Sequence, residues 1–265
     1  MMQNFIIGQY VPTGSVIHRL DPRLKIMIVF FFVLVMFTAD TWLSYSVLFG
    51  FAFLGASLTK IHPKLILLGL KPVWIIVAFT FILHLFLTRE GEVLFSILGF
   101  NFYSTALYQG LAISARLLLL IFMTTLMTLT TTPIAITDAV EKILYPLSKI
   151  KVPVHEIALM MSISLRFIPT LIEETDKISK AQASRGLDIS TGSLKDRTKA
   201  IIPLLIPLFI SAFKRAEDLA IAMEARGYQG GEGRTKYREL RFSITDGIVT
   251  VLFLAVVAAF FWTNQ

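Results

Sequence analysis

Two arginines 41 residues apart, Arg185 and Arg226, each stand between a small residue and a glycine, in Ala183-Ser184-Arg185-Gly186 and Glu224-Ala225-Arg226-Gly227. A guanidinium presents a rigid fork of N–H donors that fits a carboxylate with two parallel hydrogen bonds. A glycine just past the last helical turn adopts the left-handed cap conformation without steric cost. An arginine in the last turn complements the negative end of the helix dipole. The small residue before it lets another backbone come close. One such ending is an ordinary helix stop. Two of them, closing two helices in one region, point to a pair of exposed cations that dock onto acidic groups of partner proteins.

The segments that carry these endings lie within residues 131–243, which hold most of the charge of the chain with both signs mixed. Two apolar stretches there, Ile157–Ile163 and Ile201–Ile210, do not read well as membrane spans. The first is flanked by Glu156 and interrupted by Arg166 and Pro169; the second contains Pro203 and Pro207, four apart and so on one helical face. A charge at the centre of a bilayer costs at least ~2.5–3.5 kcal/mol. Each stretch runs instead into a charged amphipathic segment, Leu171–Ser184 and Ser211–Ala225. The expectation is two long helices along or below the membrane interface; the alternative is that one or both cross the membrane. The two form a weak repeat. Asp176 aligns with Glu217, Ile178 with Leu219, Ala181 with Ala222, Arg185 with Arg226 and Gly186 with Gly227.

The rest of the chain belongs in lipid. Of 265 residues 55% are hydrophobic, 22 are phenylalanine and only 16% are charged, too few to cover a soluble surface. A span needs roughly 20 apolar residues. Five segments come close: Leu24–Ala39, Trp42–Thr59, Leu65–Leu87, Ala106–Thr130 and Ile244–Trp262. The first is short, and because further apolar runs follow, it reads as a retained span rather than a signal peptide. The basic residues Arg19, Arg23, Lys25, Lys60 and Lys64 gather on one side, while the Asp40 turn has none and the Thr88–Thr105 loop sets only Arg89 against Glu90 and Glu92. Basic loops stay cytoplasmic, so the N-terminus is expected inside, residues 131–243 in the cytoplasm and the C-terminus outside. The fold class is therefore all-α: a polytopic integral membrane protein with about five spans. The expected organisation is a four-span domain over 1–130, a cytoplasmic coupling module over 131–243 and a last transmembrane helix over 244–265. Gly230-Gly231-Glu232-Gly233 reads as a flexible return to that last helix.

Other chemistries find little support. With no cysteine there are no disulfides or thiolate metal sites. The net charge of +7 is read as orientation charge, since no basic, aromatic-interleaved polar domain is present to hold nucleic acid. No P-loop appears. The histidines are His18, His62, His84 and His155; His155-Glu156 begins like a zinc-protease motif but lacks the second histidine at the required spacing. Arg116, in the fourth span, is a functional candidate by its place; the plainer reading is snorkelling or internal hydrogen bonds to Thr and Ser neighbours. A self-sufficient secondary transporter would need ionisable groups at mid-membrane and repeats across the spans. A membrane-embedded enzyme would need a convergent catalytic cluster, and none is visible.

The paired helix endings, together with His18-Arg19-Leu20-Asp21-Pro22-Arg23-Leu24-Lys25 before the first span, make the chain resemble, over essentially its whole length, the transmembrane T component of energy-coupling-factor transporters. These are ABC-type importers of vitamins and transition-metal ions in prokaryotes. Ser184 departs from the alanine usual in the first ending, but is also small. The resemblance implies a non-catalytic subunit without cofactors. Its partners would be two ABC ATPase subunits and a membrane-embedded substrate-binding S component, and it would transmit ATP-driven motion between them. Arg185 and Arg226 would each pair with an acidic group of one ATPase. The apolar sides of the helices, including Met160, Met161, Leu204, Leu205, Leu208 and Phe209, would face the S component or lipid. A methionine-bearing surface repacks readily against several partners.

Overall fold

In the computed structural model, residues 10–97, 100–186, 194–230 and 240–264 are described. The elements in chain order are α1 (Val16–Arg19), α2 (Pro22–Phe37), α3 (Trp42–Leu58), α4 (Pro63–Leu87), β1 (Val93–Ile97), β2 (Phe100–Tyr103), α5 (Ser104–Thr130) and α6 (Pro133–Leu144). A 3-10 turn over Tyr145–Ile150, then α7 (Val154–Ser184), α8 (Leu194–Ala225) and α9 (Ile244–Thr263), complete them. The architecture is that of an all-α polytopic membrane protein with one small hairpin. That hairpin occupies the expected Thr88–Thr105 loop, with β1 and β2 antiparallel and Ser96 opposite Asn101. The glycine-rich return beyond Gly230 lies outside the described residues.

The five segments read as spans form α2, α3, α4, α5 and α9. Four of the described helices are long and apolar enough to cross a membrane: α4, α5, α9 and also α7. α7 qualifies because its first half, before Glu173, carries only Glu156 and Arg166 as formal charges. α2 and α3, at 16 and 17 residues, rise only about 24–26 Å and would thin the bilayer locally.

The chain divides into two compact units, Met1–Ala139 with Glu239–Gln265, and Val140–Arg238. The first holds a core of Phe32 and Met36 from α2, Tyr45 and Leu48 from α3, Leu119 and Met123 from α5, and Phe253 and Phe260 from α9. Its outer faces are equally apolar, with Phe53 72%, Ile75 74% and Val251 68% exposed. Helices apolar all round are what a lipid solvent requires. α4 and α5 approach closely where glycine permits it: a Cβ on Gly110 would lie 3.1 Å from the Phe81 ring, and one on Gly69 would lie 2.9 Å from Thr125 Cγ2. Small residues at such crossings replace the hydrophobic drive that is absent in lipid.

Two polar clasps hold the helix ends of this unit together. At one end, the Asp21 carboxylate accepts the Arg23 backbone N–H at 2.8 Å and pairs with its guanidinium at 2.8 Å. Arg23 also donates to Leu240 O at 3.0 Å and lies over the Phe242 ring. Asp246, buried in the first turn of α9, closes a capping box with Ser243 and accepts the Asp21 N–H at 2.9 Å. Lys25 Nζ donates to Thr130 O at 2.9 Å and to Thr131 Oγ1 at 3.2 Å. The basic signature before the first span is thus a structural knot. His18 belongs to it: Nε2 donates to Val11 O at 2.8 Å, and Nδ1 shares a hydrogen bond with Ser15 Oγ at 2.7 Å. Burial pushes the pKa of this imidazole below the usual 6.5.

At the other end, Arg116 donates to Tyr45 Oη at 2.8 Å and to Ala39 O at 2.6 Å, with Asp40 3.8 Å away. Asn264 receives the Asp40 N–H at 2.9 Å and donates to Thr38 O at 2.8 Å. Of the two readings of Arg116, the structure supports internal hydrogen bonding. Its partners are a tyrosine and a carbonyl freed at the α2–α3 turn, not Thr and Ser neighbours.

Candidate docking site

The second unit is built on α7 and α8, each running unbroken through its prolines, Pro169 in α7 and Pro203 and Pro207 in α8. The apolar stretches and the charged segments after them are therefore single helices of 31 and 32 residues. They pack antiparallel. Gln182 Nε2 donates to Pro203 O at 3.4 Å, near the end of α7 and the start of α8. At the middle, Glu174 accepts from Ser211 Oγ and from Arg215 Nη2, the latter at 2.9 Å. The Arg215 guanidinium also lies over the Phe167 ring. Farther along, Ile163 and Phe167 share an apolar groove with Ala216, Ala220 and Met223.

Antiparallel packing sends the two helix endings to opposite ends of the pair. Glu174 and Arg215 are repeat counterparts, so an approximate local two-fold passes close to them. At 1.5 Å per residue, Arg185 and Arg226 stand roughly 35–40 Å apart along the pair.

Each ending has the geometry its sequence calls for. Arg185 caps α7 and Gly186 takes φ +85°; Gly186 N–H bonds back to Ala183 O at 3.0 Å. Gly227 takes φ +74°, its N–H bonds to Glu224 O at 2.8 Å, and Tyr228 N–H reaches Met223 O at 3.0 Å, a six-residue closure. Ala183, Ser184, Arg185, Gly186, Ala225, Arg226 and Gly227 are all exposed. Neither guanidinium has a polar partner among the described residues. Two such cations can receive carboxylates without first breaking a bond to any described residue.

The apolar residues expected beside them divide into two sets. Met160, Met161, Leu205 and Phe209 are exposed, Phe209 to 60%, whereas Leu204 and Leu208 are half-buried. The exposed members of α8 continue an outward row through Ile202, Ile206, Ile210 and Phe213. Among the described residues no group of three His, Asp or Glu could hold a metal ion.

Sequence reasoning missed three things here. Glu174 and Arg215 were visible only as charges on amphipathic segments, though their 41-residue offset marked them as repeat counterparts. The α6 and 3-10 segment went unassigned, and in it Glu141 pairs with His155 at 3.2 Å. Lys71, inside α4 with its side chain exposed, was passed over because the surrounding run is so apolar.

Comparison with known proteins agrees with this architecture. The family model described as "Cobalt transport protein" (CbiQ) matches residues 13–237. A Bacillus subtilis (strain 168) protein named energy-coupling factor transporter transmembrane protein EcfT is 56% identical over 262 residues, covering 99% of both chains. Proteins of the same name from Brevibacillus brevis and Listeria innocua are 51% identical over 262 residues, with 99% of both chains covered, and 48% identical over 265 residues, with all of both chains covered. With two thirds of the chain inside every one of these matches, and with helices apolar enough to span a membrane several times, the chain belongs to the family of transmembrane proteins of energy-coupling factor transporters.

Proposed function

We propose that this chain is the non-catalytic coupling subunit of an importer for a vitamin or other micronutrient, joining two cytoplasmic ATPase subunits to a membrane-embedded S component that carries the substrate site. The observation that carries this reading is the pair of exposed Arg-Gly tips, set at opposite ends of one antiparallel helix pair about a local two-fold. Two similar ATPases related by a two-fold present two similar acidic grooves, and a rigid rod with a cation at each end engages both at once. Closure of the ATPases would then move both ends of one rigid body. Arg185 and Arg226, with Ala183, Ser184, Gly186, Ala225 and Gly227, form the docking residues. The exposed apolar row with Met160, Met161, Leu205 and Phe209 is the face for the S component, and Leu204 and Leu208 support it from beneath. In this reading the N-terminus and the α7–α8 pair are cytoplasmic and the C-terminus is outside.

The test is Arg185→Glu combined with Arg226→Glu. Both residues are exposed and have no polar partner among the described residues, so membrane insertion and yield should match the parent protein. Copurification of the ATPases from native membranes should be lost, and uptake with it. Normal assembly of the double variant would refute the proposal.

A further inference from the structure

α4 carries two lysines on one face, Lys64 and Lys71, seven residues apart and so nearly in register on the helix. Both are exposed. Among the described residues neither ammonium group has a hydrogen-bond or ion-pair partner, and α4 contains no acidic residue. Lys60, at the positive-φ turn just before the helix, is exposed too.

Depth makes Lys71 unusual. α4 has 25 residues and so rises about 37 Å, against a hydrocarbon core of about 30 Å. Its Leu87 end is apolar and exposed, so the excess falls at the Pro63 end. That leaves Lys64 among the lipid headgroups and the Lys71 backbone about 5 Å inside the hydrocarbon boundary. A lysine stem can carry its ammonium back to that boundary, where lipid phosphates lie. Below Lys71 on the same face come Trp74, Ile75, Phe79 and Ile82, between 50% and 74% exposed. Trp74, three residues on, lies about 4.5 Å deeper than Lys71, at the level of the upper acyl chains. The apolar row beneath them is shaped to receive acyl chains.

We propose that this face of α4 is a binding site for one anionic phospholipid, its phosphate held between Lys64 and Lys71 and its chains lying along Trp74, Ile75 and Phe79. Charge complementarity selects the occupant: Lys64 and Lys71, without a partner among the described residues and on a helix without an acidic residue, favour a lipid with net negative charge over a zwitterionic one. Each lysine close to an anionic surface contributes roughly a five-fold preference. The site would anchor α4 at a fixed depth and make the membrane domain sensitive to anionic lipid content.

Trp74 provides the readout. The chain has three tryptophans, and Trp42→Phe with Trp262→Phe leaves Trp74 alone. The full-length protein is reconstituted in phosphatidylcholine vesicles containing a minor fraction of brominated phosphatidylglycerol or brominated phosphatidylcholine, and quenching of Trp74 is compared. The expected result is a preference of roughly five-fold or more for the anionic lipid. Lys64→Gln with Lys71→Gln should abolish that preference, while Lys71→Arg should keep it. Equal quenching by both lipids in the parent, or a preference unchanged in the double Gln variant, would overturn the proposal. So would carbodiimide coupling of Lys71 to an acidic residue of a partner subunit in the assembled transporter, which would assign the face to protein.

Discussion

Glu174 and Arg215 bond to each other across α7 and α8 at 2.9 Å, and they are also counterparts in the 41-residue repeat that places Arg185 and Arg226. The ion pair therefore sits where the two halves of the repeat meet. Both side chains are about three-quarters buried. Breaking such a bond leaves a partly desolvated charge, at a cost of roughly 1–3 kcal/mol.

The first prediction uses that near-symmetry. Glu174→Ala or Arg215→Ala should each lower the thermal stability of the detergent-purified protein. Because the positions are near-equivalent, Glu174→Arg with Arg215→Glu should recover much of the loss. A swapped protein no more stable than either single variant would show that the pair is not the centre of the packing.

Antiparallel packing gives a distance that can be read directly. The chain has no cysteine, so Ala183→Cys with Ala225→Cys gives two unique sites for spin labels. A separation of roughly 35–40 Å is expected from helix rise. A distribution centred below about 20 Å would mean that both tips lie at one end.

The clasp in the membrane domain should be sensitive to its buried carboxylate. Asp246→Ala removes the cap of α9 and leaves the Asp21 N–H without an acceptor, which should cost about 2–4 kcal/mol. Folded yield should fall sharply, while Asp246→Asn, which keeps one acceptor, should be intermediate. Unchanged yield for Asp246→Ala would remove Asp246 from the clasp.

His18 gives the same clasp a pH dependence. Its folded pKa lies below the unfolded value of 6.5, so the unfolded chain takes up the proton first as pH falls. The stability it contributes is fully present above about 6.5 and is lost as pH drops towards the folded pKa. Repulsion by the Lys25 charge acts in the same direction. Thermal stability followed between pH 7.5 and 5 should fall more steeply for the parent than for His18→Gln. Parallel curves would exclude His18 as the titrating group.

What could be read in the sequence follows from the physics of each signal. Arg185-Gly186 and Arg226-Gly227 were legible because a left-handed cap has a strong residue preference, and Gly186 and Gly227 do take positive φ. The five lipid-facing segments were legible because apolarity persists over whole helices. The direction of packing was not, since an amphipathic pattern shows which face is covered and not by what. The six apolar residues expected to face the S component or lipid differ in exposure: Leu204 and Leu208 are half-buried because they lie one residue out of register with the exposed Leu205 and Phe209. Arg116 could be identified as costly but not partnered: Ala39 and Tyr45 are more than seventy positions away in the chain. Lys71 was hidden by the hydropathy that identified its helix.

The proposed coupling role requires two separate tips to engage two separate ATPase subunits. The most direct measurement places a single cysteine at Ser184 or at Ala225 and cross-links the assembled transporter with a short thiol–carboxylate or photoactivated reagent. Each position alone should give an adduct with one ATPase subunit, and both together should give a product containing this chain and two. An adduct from only one position, or from neither, would contradict the account.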